Sequence, residues 1–169
     1  MDEALVIDEI ERYRQGMELG NCDFITFIPT SPRQEGVDIL YFKSPIYKTI
    51  QVKGSRVYDN RSSLPTAWIV LPDKYFSKKT CPAIDFFVFV FHVVVGGKHK
   101  PKFTQEYLVV PFADMDSYIV TNGIKSSGGK YHFAFEIDLA RKSIIQVRHK
   151  LVALSSSNFT KYWNNWSQL

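Results

Sequence analysis

The pattern of hydrophobic and polar positions at the start of the chain has the period of a helix. Apolar side chains recur every three or four residues from residue 2 to about residue 17, with charged residues between them. This spacing gives a helix one apolar face, and Gly16 and Gly20 suit its end. The first segment is therefore predicted to be a helix that packs on a sheet.

Short segments of strand character follow this helix. They cover about residues 22–28, 37–43 and 48–54, and the turn-rich segments 29–36 and Ser44-Pro45 separate them. The second and third segments are predicted to form a β-hairpin.

The longest apolar stretch runs from Phe86 to Val95. Its β-branched and aromatic residues favour a strand that is covered on both faces and lies in the middle of a sheet. A strand at about 105–110 completes a second predicted hairpin. The apolar stretch is far shorter than the roughly 20 residues that a membrane-spanning helix needs.

The second half of the chain is less regular. Pro111 is predicted to begin a helix that ends near residue 121, because proline suits the first helical position, and residues 131–135 alternate like a strand. A short segment around residues 68–71 lies between predicted loops at 59–65 and 72–83. The aromatic end, Tyr162-Trp163 and Trp166, is expected to dock on the core rather than to contact bases.

Length and composition favour one domain. A chain of 169 residues with 45% hydrophobic and 15% aromatic residues is long enough to bury a single core. The domain is predicted to span residues 1–169. Cys22 and Cys81 are too far apart for a thiolate zinc motif, and the acidic start has no apolar run typical of a signal peptide, so a cytoplasmic location without a membrane is expected.

Charge is unevenly distributed along the chain. Residues 1–50 carry 5 Lys/Arg and 9 Asp/Glu, whereas the remaining 119 residues carry 16 and 8, so the net charge changes from −4 to +8. The basic part is suited to a polyanion such as DNA, and a solvated basic surface is the alternative.

Asp38 and Lys53 are candidate functional residues. In a strand, Asp38 shares a face with Leu40 and Phe42, and Gln51 shares a face with Lys53, because side chains alternate. A carboxylate beside apolar side chains needs a partner, which Lys53 or a metal ion could supply. A purely structural Asp38–Lys53 salt bridge is therefore the alternative to a site.

The segments Gly36-Val37-Asp38 and Gln51-Val52-Lys53-Gly54-Ser55 carry a resemblance to a known family. With the helix before them and several later strands, they resemble small prokaryotic members of the PD-(D/E)XK nuclease superfamily. The resemblance implies an α/β (α+β) fold, a restriction-endonuclease-like domain with a mixed central β-sheet flanked by helices.

The resemblance also implies a metal site that hydrolyses DNA. Asp38, Gln51 and the Val52 carbonyl would bind Mg²⁺, with Mn²⁺ as a substitute, and Lys53 would orient the attacking water or stabilise charge on the phosphate. Oxygen ligands of this kind suit Mg²⁺, which can activate a water. Gln51 stands where the family more often has Glu or Asp. Family members often add a helix carboxylate, for which Glu3 is the candidate and Glu9 the fallback.

Further residues are candidates for contact with DNA. Ser55, Arg56 and Tyr58 follow Lys53 directly and suit phosphate contacts. Lys98 and Lys100, in the tip of the second hairpin, suit salt-sensitive contacts with the backbone, although a charged tip also keeps a loop solvated.

The leading hypothesis is a magnesium-dependent endonuclease that acts on DNA, and cleavage of both strands of a duplex would favour a homodimer. One alternative is a DNA-binding module without catalysis, because Gln51 is neutral. Another is a β-rich protein-interaction domain, in which Asp38 and Lys53 form only a salt bridge.

Overall fold

A computed structural model gives the arrangement of most of the chain. It describes residues 2–16, 24–27, 37–43, 46–58, 64–77, 84–95, 102–149 and 157–169. The predicted contacts of Lys98 and Lys100 and both cysteines lie outside these residues.

The described residues form two α-helices and eight strands. The helices are α1 (Asp2–Gly16) and α2 (Phe112–Thr121). The strands are β1 (Phe24–Phe27), β2 (Ile39–Lys43), β3 (Ile46–Tyr58), β4 (Thr66–Pro72), β5 (Phe86–Val95), β6 (Lys102–Pro111), β7 (Lys130–Asp138) and β8 (Ser143–Gln146). Short 3₁₀ helices cover Asp73–Phe76, Thr160–Tyr162 and Trp166–Gln168.

The strands form two sheets. The central sheet has the order β1-β2-β3-β5-β6, and only its β3–β5 pair is parallel. The second sheet is antiparallel with the order β4-β7-β8. The prediction of an α+β fold with a mixed central sheet is confirmed, and so are both predicted hairpins. None of the helices that the structure describes is long and apolar enough to cross a membrane.

The central sheet buries both faces, as the apolar sequence of β5 predicted. Val88 and Val90 belong to the apolar cluster under α1. Phe89 and Phe91 point the other way, and their rings lie 5.9 and 5.8 Å from the ring of Phe135 in the second sheet. Burial of both sets of side chains places β5 in the interior of the fold.

Strand β3 is longer than its sequence predicted. The expected strand ended at residue 54, but the parallel ladder with β5 continues to the pair of Tyr58 and Val94. Gly54, Ser55 and Arg56 hid this extension, because three consecutive non-apolar residues interrupt the alternation by which a strand is recognised. Strand β8 and the separation of β4, β7 and β8 into their own sheet were also not predicted.

The aromatic end docks on the core, as predicted. Tyr162 and Trp166 are buried, and the indole Nε1 of Trp163 donates a hydrogen bond to Glu106 Oε2 at 2.7 Å. Asn164 bonds to the backbone of Tyr107 in β6. The last residues are therefore part of the packed structure.

Candidate metal centre

Asp38 lies at the point where β2 begins beside β3. It occupies a bend directly before the strand rather than a strand position. Its backbone N–H donates to the Ile50 carbonyl at 2.9 Å, and its Oδ2 accepts the backbone N–H of Val52 at 2.8 Å. The carboxylate thus accepts a backbone N–H of β3 that has no acceptor in the backbone of β2.

Gln51 reaches the same carboxylate from β3. Its side chain is buried, with 1% exposure, and its Nε2 donates to Asp38 Oδ2 and, at 3.1 Å, to the Val52 carbonyl. The amide oxygen Oε1 is buried without a hydrogen-bond partner. An unsatisfied buried amide oxygen costs free energy. A hydrogen-bond donor or a cation at Gln51 Oε1 would therefore stabilise the folded protein.

The electrostatic environment of Asp38 is unfavourable to its charge. Burial raises the pKa of this carboxyl above its ordinary value, and the nearby Glu3 carboxylate acts in the same direction. The Val52 N–H, the charge of Lys53 and the Gln51 amide counteract part of this effect on the pKa. The net rise means that a positive charge added at Asp38 would stabilise the ionised form.

Lys53 follows Gln51 on the same face of β3 and is half-buried. It attracts both Asp38 and Glu3 electrostatically. Among the described residues no ion pair joins Asp38 to Lys53. The salt bridge that would have given these two residues a purely structural role is therefore not formed.

The first turn of α1 brings Glu3 towards this cluster. Glu3 is half-buried and close enough to raise the pKa of Asp38 by charge repulsion, after the larger effect of burial. Glu9, the fallback candidate, instead pairs with Arg12 at 2.6 Å further along the helix. Of the two glutamates, Glu3 is the one that the fold brings into electrostatic contact with Asp38 and Lys53.

The predicted DNA-contacting residues after Lys53 divide between the two faces of β3. The Ser55 hydroxyl accepts the backbone N–H of Trp68 in β4 at 3.1 Å, on the Lys53 side. Arg56 is exposed on the opposite side and lines a groove of about 590 Å³ with His92 and Phe103. Tyr58 ends the strand, and its side chain, like Lys98 and Lys100, lies outside what the structure describes.

The donor set fits Mg²⁺ in its chemistry. Oxygen atoms of Asp38, Gln51 and Val52 are hard ligands of the kind that Mg²⁺ prefers. The Gln51 atom that contacts Asp38 and the Val52 carbonyl is Nε2, so the amide would have to turn over for the unpartnered Oε1 to join them. Only one of these three ligands is charged. No group of three His, Cys, Asp or Glu side chains suited to a metal occurs within the described part of the chain. The residues therefore suit an ion that keeps several of its own waters.

Two features beside this cluster were not predicted. Asp2 Oδ1 lies 3.0 Å from His92 Nε2 across the top of β3, which gives His92 a polar contact although its strand is apolar. Trp68 is 54% exposed on β4, with the Arg148 guanidinium 5.3 Å from its ring centre. Neither pair could be found from sequence spacing, because the partners are 90 and 80 residues apart.

Comparison with known proteins adds no further assignment. The chain matches no protein-family model, no curated protein and no solved structure.

Proposed function

We propose that this chain is a magnesium-dependent endonuclease that hydrolyses phosphodiester bonds in DNA. One observation carries the proposal. A half-buried carboxylate of raised pKa, a backbone carbonyl and the Gln51 amide, whose oxygen is unpartnered, meet where β2 pairs with β3, and Lys53 follows on the same face of β3. Burial of such a group without an ion pair is costly for a purely structural role.

Each residue has a distinct task in this proposal. Asp38 and the Val52 carbonyl would hold Mg²⁺, and Gln51 would join them once its amide presents Oε1 in place of Nε2. Lys53 places a positive charge beside the scissile phosphate and orients the attacking water, and Glu3 accepts hydrogen bonds from water around the site. Mg²⁺ at this position would supply a water of lowered pKa and offset negative charge on the phosphate.

Lys53 provides the sharpest test. The full chain is incubated with plasmid DNA and with branched DNA, in Mg²⁺ or Mn²⁺, beside the variant Lys53→Ala. We expect metal-dependent cleavage by the wild type and a loss of about 10²- to 10³-fold in the variant, the range for removal of one group that stabilises charge in the transition state.

Lys48→Ala is the matched control for this test. Lys48 lies on the same strand but on the opposite face, where its ammonium is 5.8 Å from the ring centre of Phe86. We expect Lys48→Ala to cleave like the wild type. Cleavage that survives in Lys53→Ala, or that both lysine variants lose equally, would contradict the proposal.

A DNA-binding module without catalysis is the second candidate function. The neutral side chain of Gln51 favours it, because an amide contributes no charge towards a divalent ion. This candidate predicts salt-sensitive DNA binding by the wild type and by Lys53→Ala, with no cleavage by either protein in any metal.

The proposal extends to location and assembly. A cytoplasmic location is part of the proposal, because a DNA substrate would be encountered there. Cleavage of both strands of a duplex would require two copies of the chain, since each offers one candidate centre, and a homodimer on DNA is therefore part of the proposal.

A further inference from the structure

Trp68 is an exposed aromatic residue on an otherwise regular strand. In β4 the side chains alternate, so Ala67, Ile69 and Leu71 are buried in the core. Trp68, which points the other way, is 54% exposed. Exposure of a tryptophan forgoes part of the free energy that its large surface would gain in a core, and it leaves the ring accessible to a ligand.

Arg148 is held over this tryptophan by its neighbours in the chain. Its guanidinium carbon lies 5.3 Å from the centre of the Trp68 ring. On one side of it, the Val147 N–H donates to the Ala134 carbonyl at 2.8 Å. On the other side, His149 Nε2 lies 3.0 Å from the His132 carbonyl. Two contacts with β7 therefore fix the backbone that carries Arg148, and the cation is already positioned beside the ring.

The pair lies beside the candidate metal centre. The backbone N–H of Trp68 donates a hydrogen bond to the Ser55 hydroxyl at 3.1 Å. Ser55 is two residues from Lys53 on the same side of β3. Two strand residues span about 7 Å. A nucleic-acid strand whose phosphate lies at Lys53 would therefore pass Trp68 within a few nucleotides.

We infer that Trp68 and Arg148 form a stacking platform for an unpaired base, so that the substrate is DNA with a single-stranded segment next to the cleaved bond. This inference rests on the proposed function and specifies its substrate. An indole ring offers a face to any base, and the guanidinium adds a positive charge for the adjoining phosphate. The net charge of +8 on residues 51–169 is complementary to that strand. A paired base in continuous duplex has no free face for Trp68.

Binding without metal tests the platform separately from cleavage. The full chain and its variants are titrated in EDTA into a labelled single-stranded oligonucleotide of about 12 nucleotides, and into a duplex of the same length. We expect Trp68→Ala to weaken binding of the single strand about tenfold, in the range measured for loss of one stacked base, and to change duplex binding far less.

Two further variants show whether stacking is the cause. Trp68→Phe keeps an aromatic face and should retain most of the affinity for the single strand. Val70→Ala is the matched control, because Val70 is also exposed, on the same face of β4, and it should bind both DNAs like the wild type.

Intrinsic fluorescence provides a readout that does not depend on the stability of Trp68→Ala. Of the three tryptophans, Trp166 is buried, with 5% exposure, and Trp163 is half-buried with its indole nitrogen bonded to Glu106, whereas Trp68 is exposed. Single-stranded DNA should quench the wild-type emission, and Trp68→Phe should lose most of this quenching while it still binds.

The inference and the proposed function can fail separately. Unchanged single-strand affinity in Trp68→Ala, or an equal loss for single strand and duplex, would overturn the platform even if Lys53-dependent cleavage is observed. Trp68-dependent binding of the single strand without any cleavage would uphold the platform and remove the endonuclease proposal.

Discussion

Asp38 and Asp85 bind the backbone of β3 from its two sides through the same two kinds of hydrogen bond. Asp85, directly before β5, donates its backbone N–H to the Thr49 carbonyl at 3.0 Å, and its Oδ2 accepts the Thr49 N–H at 2.8 Å. Asp38, directly before β2, does the same for Ile50 and Val52. In both places a carboxylate completes the hydrogen bonding of a strand where its neighbour starts.

The surroundings of these two aspartates differ. Asp85 Oδ2 also accepts the Thr49 hydroxyl at 3.1 Å, so threonine supplies both donors. Asp38 faces the amide of Gln51, whose own oxygen has no partner, and it lies within the electrostatic reach of Lys53 and Glu3. The backbone contacts therefore explain why an aspartate stands at each strand start, and only the surroundings of Asp38 suggest chemistry.

The largest expected effect concerns cleavage. Asp38→Asn and Asp85→Asn both keep an oxygen for the backbone N–H, but only the first removes a charge from the candidate centre. We expect Asp38→Asn to lower cleavage about 100-fold or more, since even groups that support metal ligands are worth 10- to 100-fold.

Asp85→Asn is the control for that comparison and should cleave close to the wild-type rate. Rates are measured on the same plasmid at saturating Mn²⁺, after circular dichroism has shown that both variants are folded. Equal rates for the two variants would mean that the two aspartates have the same, structural role.

Stability should change in opposite directions at the two positions. Asp85→Ala loses two hydrogen bonds to a carboxylate and leaves the backbone N–H of buried Thr49 without this acceptor. The free energy of unfolding should therefore fall by about 2 kcal/mol. Asp38→Asn should instead raise it at neutral pH without metal, because the folded pKa of Asp38 is raised by burial.

The pH dependence follows from that direction. Because the pKa of Asp38 is raised in the folded state, its contribution to the free energy of unfolding is most favourable below the ordinary pKa of a free aspartate. This contribution is lost as the pH rises through the raised pKa. The advantage of Asp38→Asn should therefore be absent in acid and develop towards neutral pH. Urea unfolding at several pH values measures it, and an advantage that grows in acid would contradict this account.

The smallest expected effect is on metal affinity. Gln51→Glu adds a second carboxylate at the candidate centre, and Mn²⁺ should bind about tenfold more tightly, a gain of about 1.4 kcal/mol. Isothermal titration calorimetry measures the dissociation constant.

Gln146→Glu is the control for that substitution. Gln146 is a buried glutamine of β8 that also leaves one amide atom unpartnered, and its Oε1 accepts the Tyr118 hydroxyl at 2.9 Å. A carboxylate there should not bind Mn²⁺. If both variants or neither of them gain affinity, the centre at Asp38 has no special capacity for a cation.

Much of the central sheet could be predicted from local patterns. The period of α1 and the unbroken apolar sequence of β5 each depend on neighbouring residues only, and both predictions were confirmed. The chain segments that carry Asp38 and Lys53 were predicted to meet because a short turn joins their strands, and β2 and β3 do pair.

The remaining features depend on contacts between distant residues. The exposure of Trp68 depends on which face of β4 packs on the core, and its partner Arg148 lies 80 residues away. The choice of Glu3 over Glu9 depends on how α1 lies across the sheet, which helical spacing alone does not determine. The predicted roles of Asp38, Gln51 and Lys53 in catalysis stay predictions.

Gly54 has a consequence for how the helix, β3 and β5 are held together. A Cβ at this position would collide with the Asp2 carboxylate, which lies over the strand and reaches His92 on β5. A larger residue would therefore displace the Asp2 carboxylate and break its contact with His92. The space that glycine leaves on β3 accommodates the Asp2 carboxylate, which joins the start of α1 to β5 across the strand that carries Lys53.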